Sequence, residues 1–158
     1  MLRLVILFAG LLAVQGQTTN VQRCTGSAAQ NAPLPINAYV EGCVEPPCQL
    51  PQGSLATVHF TFKAPRTTTR MTTRAQMFSL FAIGIALPLH EQAETCDYLT
   101  GSSCPIAAGD VVHYTLKSVV SEVLPVGLTS NLEIMIEDDA NVPITCARLR
   151  MIVAPPSA

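Results

Sequence analysis

Six cysteines offer the most chemistry in this 158-residue sequence, and their spacing narrows which chemistry that is. Two pairs are close, Cys43 with Cys48 and Cys96 with Cys104, while Cys24 and Cys146 bracket nearly everything between. The spacings are not those of zinc sites and no histidine lies close to either pair, so no metal is expected. Disulfides are expected instead, in any of fifteen connectivities. Distance favours one of them. Cys43-Val-Glu-Pro-Pro-Cys48 is a proline-stiffened turn, and the loop from Cys96 to Cys104 carries Thr100-Gly-Ser-Ser103, so each closes on itself. Cys24 is then left to Cys146. In the chain-entropy account, closing so long a loop contributes roughly 4–5 kcal/mol.

The other reactive side chains do not assemble into a catalytic pattern. His59, His90 and His113 are scattered, and each reads as an exposed strand residue. No Gly-x-Ser-x-Gly elbow, His-Glu-x-x-His pair or phosphate-binding glycine loop occurs. Asp138 and Asp139 form a carboxylate pair, but Asp138-Asp-Ala-Asn141 has the composition of a hairpin turn. The sequence therefore predicts a protein that is not an enzyme and needs no cofactor.

Disulfides require an oxidising compartment, and the first residues supply a route to one. Met1-Leu-Arg3 is a short positive start, Leu4 to Val14 is apolar, and Val14-Gln-Gly16 offers small residues for cleavage. The run falls short of the about 20 apolar residues that span a bilayer. Residues 1–16 thus read as a signal peptide and 17–158 as a single domain. Without Arg3, eight basic residues face 11 acidic ones, a net charge of −3 that disfavours a nucleic-acid partner. One basic stretch, Lys63, Arg66, Arg70 and Arg74, reads either as a solvated, threonine-rich loop and strand edge or as a landing site for anionic lipid headgroups. Charged residues are 13% of the chain and apolar ones 49%, so the surplus apolar surface must enter a core or surround a ligand.

The segments that would position these residues read as strands. Leu34, Ile36, Ala38 and Val40 alternate with other residues, as do Val58, Phe60 and Phe62, and then Leu132, Ile134 and Ile136 with Glu133, Met135 and Glu137. Period two places one face inward and the other toward solvent. Met71 to Leu89 reads as one longer strand, with Gly84 marking a bulge or a close approach. Val111–Val120 and Pro143–Val153 complete the set, and turn signals at Pro51-Gln-Gly53, Ala108-Gly-Asp110, Pro125-Val-Gly127 and Asp138–Asn141 separate them. Six to eight antiparallel strands with this spacing predict an all-β, immunoglobulin-like two-sheet sandwich.

Several local blocks, taken in order, carry a family resemblance. They are the Cys24 opening, Pro47-Cys-Gln-Leu50, Gly53 ahead of Val58-His-Phe-Thr-Phe62, Gly84-Ile-Ala-Leu-Pro-Leu89, Cys104-Pro-Ile106, Tyr114, and Asp138-Asp-Ala-Asn141 leading to Cys146. Over Val21 to Val153 the chain resembles the ML lipid-recognition domains, most of all the Niemann-Pick type C2 branch, and is similar to mite group 2 allergens. The resemblance implies the disulfides Cys24–Cys146, Cys43–Cys48 and Cys96–Cys104, and a sterol or other lipid held in an apolar pocket between the two sheets. It also implies four pocket residues. Leu89 falls where the family often has Phe, Val120 falls on a matching Val, Leu124 falls where Tyr is common, and Ile134 falls where some members have Trp. Aliphatic residues thus replace aromatic liners, which leaves an apolar cavity of altered shape.

The expected function is that of a secreted, monomeric sterol or lipid carrier, in transient contact with membranes or a lipid-accepting protein. The alternative is an innate-immunity sensor that presents bacterial lipid to a receptor, for which Arg66, Arg70 and Arg74 are the candidate cations at the pocket mouth. Asn20, Asn31, Asn37, Asn131 and Asn141 all fail the Asn-x-Ser/Thr pattern, so delivery to lysosomes by N-linked sugar is not expected and extracellular fluid is.

Overall fold

The computed structural model describes residues 16–78 and 83–158. The apolar run Leu4–Val14 lies outside them, as do Ser79–Ala82 within the stretch read as one long strand. Among the described residues the chain forms nine strands: β1 (Asn37–Val40), β2 (Cys48–Pro51), β3 (Leu55–Lys63), β4 (Met71–Phe78), β5 (Gly84–Leu87), β6 (Leu99–Thr100), β7 (Val111–Val119), β8 (Thr129–Asp138) and β9 (Pro143–Ala154). They make an immunoglobulin-like sandwich of a four-stranded sheet, β1-β3-β7-β6, and a five-stranded sheet, β2-β9-β8-β4-β5. Two short 3₁₀ turns, His90–Ala93 and Thr95–Tyr98, connect β5 to β6. No helix among the described residues is long and apolar enough to cross a membrane.

The pairing departs from expectation in four places. β2 runs parallel to β9, whereas the strands were expected to be antiparallel throughout. Met71–Leu89 folds back on itself: β4 and β5 pair antiparallel, with Phe78 opposite Gly84. A Cβ on Gly84 would lie 3.0 Å from Phe78 Cε1, so this glycine marks a close approach. The alternation that began at Leu34 enters the core only at Ala38 and Val40, while Leu34 and Ile36 stay exposed. His90 opens a 3₁₀ turn at positive φ and is not in a strand.

Side-chain size grades along the inner face. On the β3–β7 ladder the inward pairs run Ala56 with Ser118, Val58 with Leu116, Phe60 with Tyr114 and Phe62 with Val112. The Phe60 and Tyr114 rings stack at 6.2 Å and are almost wholly buried, so that half of the sandwich is filled. Burial pushes the Tyr114 hydroxyl up to about 12. The end carrying Ala56 and Ser118 lacks the volume to close the gap.

All three expected disulfides are present. Cys24–Cys146 joins residues 122 apart, and Cys43–Cys48 and Cys96–Cys104 close the local loops. The long one pins the segment after Cys24 to the outer face of the five-stranded sheet, where Cys24, Ala29, Ala32, Met135 and Cys146 form a second small core. β8 is consequently buried on both faces, and Glu133 and Glu137, expected to face solvent, are covered. Burying a carboxylate demands partners. Glu133 Oε1 accepts from Thr25 N at 2.7 Å and from Arg148 Nη1 at 2.7 Å. Gly26 is required beside it, since a Cβ there would stand 2.9 Å from Glu133 Oε2.

Candidate functional site

A cavity of about 120 Å³ lies between the sheets at the end where Ala56 faces Ser118. The four-stranded sheet contributes Val58 and Leu116 as well, and the five-stranded sheet contributes Ala75 and Met77 from β4, Leu132 and Ile134 from β8, and Leu149 and Met151 from β9. Leu87, Pro88 and Leu89 close one side. The loop after β7 closes another with Val120, Ser121 and Leu124. Among the described residues, Ser118 and Ser121 are the polar liners, and the lining holds no charged and no aromatic side chain. Such a wall can desolvate an apolar molecule.

All four residues singled out from the sequence, Leu89, Val120, Leu124 and Ile134, line this cavity. Leu89, Val120 and Ile134 are buried, and Leu124 is partly so. Ala56, Ala75 and Ser118 were not singled out, although small residues at inward strand positions are the signal that marks missing volume. Ala75 stands opposite both Ile134 and Leu87, on β4 between β8 and the edge strand β5.

The histidines lie elsewhere. His59 and His113 sit on the outer face of the four-stranded sheet, where His59 Nδ1 meets Thr115 Oγ1 at 3.1 Å and Nε2 meets Glu41 Oε1 at 2.8 Å, and His113 Nδ1 meets Thr61 Oγ1 at 3.0 Å. Cys24, Glu133 and Cys146 converge closely enough to suggest a metal site, but both sulfurs are consumed by the disulfide.

The basic stretch is not at the cavity either. Arg66 pairs with Asp138, Arg70 with Glu94, and Arg74 Nε with Glu137 Oε2 at 2.7 Å. Each of the three arginines is met by a carboxylate, Lys63 is in none of these pairs, and the Arg70 and Arg74 side chains stay more than half exposed. Asp138 is the hub. Its Oδ1 accepts from Val142 N at 2.8 Å and from Ala140 N at 3.0 Å, which forms the turn expected of Asp138–Asn141. Burial works to raise its pKa, but the Val142 N–H and the Arg66 guanidinium outweigh that and hold the carboxyl below its ordinary value.

The family model of the ML domain matches residues 18–153. A crystal structure of a Niemann-Pick type C2 protein from Japanese carpenter ant is similar over 85% of this chain and 98% of that one, with a TM-score of 0.71 and 18% sequence identity, a likeness of fold. Comparison with curated proteins gives no sequence match. Three closed disulfides are consistent with a secreted or lumenal protein. With the family model covering the whole sandwich, and with an aliphatic cavity between its sheets, the chain belongs to the ML-domain family of lipid-binding proteins.

Proposed function

We infer that this chain is a secreted, non-catalytic carrier that holds a sterol or similar apolar lipid between its sheets, with Leu89, Val120, Leu124 and Ile134 against the ligand. The observation that carries this is the lining, which among the described residues is aliphatic with two serines as its polar members. A sterol-sized molecule buries several hundred Å² of apolar surface, on the order of 10 kcal/mol at about 25 cal/mol/Å² before the costs of immobilisation. Size sets a further condition. The cavity of about 120 Å³ is close to the benzene-sized void of about 150 Å³ known from an engineered core, and below the about 300 Å³ at which pockets for larger ligands begin. Uptake of a lipid therefore spreads the walls, which unbranched Met77 and Met151 and the leucines accommodate by changing rotamer.

The sensor alternative called for cations at the mouth, and Arg66, Arg70 and Arg74 each engage a carboxylate away from the cavity. The carrier reading is tested by titrating the protein with a fluorescent sterol and a fluorescent fatty acid, and by mass spectrometry of the lipid that co-purifies from its source. Saturable one-to-one binding of either probe supports it. Binding of neither, with no co-purifying lipid, overturns it.

A further inference from the structure

Resting on the carrier reading, we propose that Gln52 is the latch of the cavity's entrance, a positioning residue that holds the β7–β8 loop closed and sets how fast lipid enters and leaves. The cavity reaches the surface beside this loop. Val119 lines it while 62% exposed, and Val123, between the lining residues Ser121 and Leu124, is 90% exposed.

Two kinds of hydrogen bond join that loop to the turn between β2 and β3. Backbone bonds zip its root: Gly53 N donates to Val120 O at 2.7 Å and Val120 N donates to Ser54 O at 2.8 Å. Beyond the root, the turn reaches the loop through the Gln52 side chain. Its Nε2 donates to Glu122 O at 2.9 Å and to Leu124 O at 2.8 Å, so one amide group spans the tip that carries Leu124. Two carbonyl acceptors fix the amide's orientation, because only the NH₂ end has two protons to give. Gln52 itself does not line the cavity and is partly exposed. It therefore acts on ligand only through the loop. Releasing the latch frees the tip while the Val120 root stays tied, which is the motion that would open a path past Val119 without unfolding the sandwich.

Gln52→Glu keeps the length but leaves no donor for the two carbonyls, and Gln52→Lys restores donors on a flexible stem. Hydrogen–deuterium exchange is read first, in the lipid-free protein. Gln52→Glu should speed exchange of the Val123 and Leu124 amides roughly tenfold, the factor that one to two net hydrogen bonds represent, with Gln52→Lys near the parent. Stopped-flow exchange of the fluorescent probe follows. Entry and exit rates should rise together in Gln52→Glu by a similar factor, with the equilibrium constant moving by less than about threefold, because a gate changes a barrier in both directions. A residue that merely supports the wall would instead change the exit rate alone. Unaltered amide exchange would overturn the latch whatever the protein binds. Faster amide exchange with unchanged probe kinetics would overturn its role as a gate. Failure of the parent to take up any probe would remove the carrier reading on which the gate rests, and the amide exchange separates that failure from a failure of the latch.

Discussion

Ala56 and Ser118 stand directly opposite each other on β3 and β7, and both small side chains line the cavity between the sheets. Two and four residues further along the same strands, Val58 with Leu116 and Phe60 with Tyr114 fill the gap progressively. The cavity is thus a graded deficit of volume along one ladder, and three disulfides and a β8 buried over most of its length hold the surrounding frame against collapse.

The far end of that frame depends on Asp138. Its carboxyl is held below its ordinary pKa in the folded state, so it contributes stability above the unfolded pKa, and that contribution is lost as pH falls through the folded value. Asp138→Asn should lower stability near pH 7 by about 2 kcal/mol, the usual range for hydrogen bonds to a charged group. The deficit should begin to shrink below about pH 4, where the unfolded chain's carboxyl takes up a proton, and go on shrinking as pH falls through the lowered folded value. Denaturant midpoints of both proteins at about pH 7 and about pH 3 measure this, and a deficit of equal size at both would remove the ionised carboxylate from the account.

Much of this was legible in the sequence, and the exceptions have physical causes. Alternation found β3 and β8 because their inner faces are buried and apolar, and turn signals set off the stretches that form β7 and β9. It missed β2 and β6, four and two residues long, which are too short to show a period. It also misplaced Glu133 and Glu137, since nothing in β8 announces that residues a hundred positions earlier will cover its outer face. The four predicted pocket residues came from family resemblance, and all line the cavity. Ala56, Ala75 and Ser118 were missed because a void is made by small residues, which carry little hydrophobic signal of their own. The arginine stretch reads two ways from sequence for a related reason: sequence gives charge, and the carboxylates that pair with it are distant in the chain.

Those ion pairs make a transfer prediction. Arg66→Gln, Arg70→Gln and Arg74→Gln, combined, should leave the rate of probe transfer to acidic vesicles within about twofold of the parent at low salt, because the cations are already satisfied. Stability should fall instead, chiefly through Arg66 and Arg74, whose partners Asp138 and Glu137 are buried. A marked slowing at low salt, with stability kept, would return this stretch to the role of a lipid-headgroup landing site.

The long disulfide makes another. Replacing Cys24 and Cys146 together by Ser should cost roughly 4–5 kcal/mol of chain entropy, and it frees the segment that covers β8. Glu133 would then rely on Arg148 with its Thr25 partner loosened. Limited proteolysis should cut this variant first between Thr25 and Pro33, where the parent resists. Equal resistance in both would mean that hydrogen bonds alone hold the segment.

The cavity is tested by filling it from two sides. Val120→Phe adds a ring from the loop, and Ala75→Leu adds a branched side chain from β4 in the five-stranded wall. In a fully packed core, either change forces strain of about 1–3 kcal/mol, felt as lost stability. Against an unfilled volume, each should leave the thermal midpoint unchanged or raise it, because new apolar contacts replace missing ones. Binding separates the cases further. With about 120 Å³ to share, either substitution consumes the space from which a lipid must start to spread the sheets, so affinity for both the sterol and the fatty-acid probe should drop at least about tenfold. Ala75→Leu also sits opposite Ile134, so it should penalise the rigid sterol more than the flexible chain, which can bend past an obstruction. Thermal unfolding and probe titration on the same preparations decide the matter. Parental binding by both variants would move the ligand out of this cavity, and unfolding of both would mean that the space between Ala56, Ser118 and Ala75 is packed core.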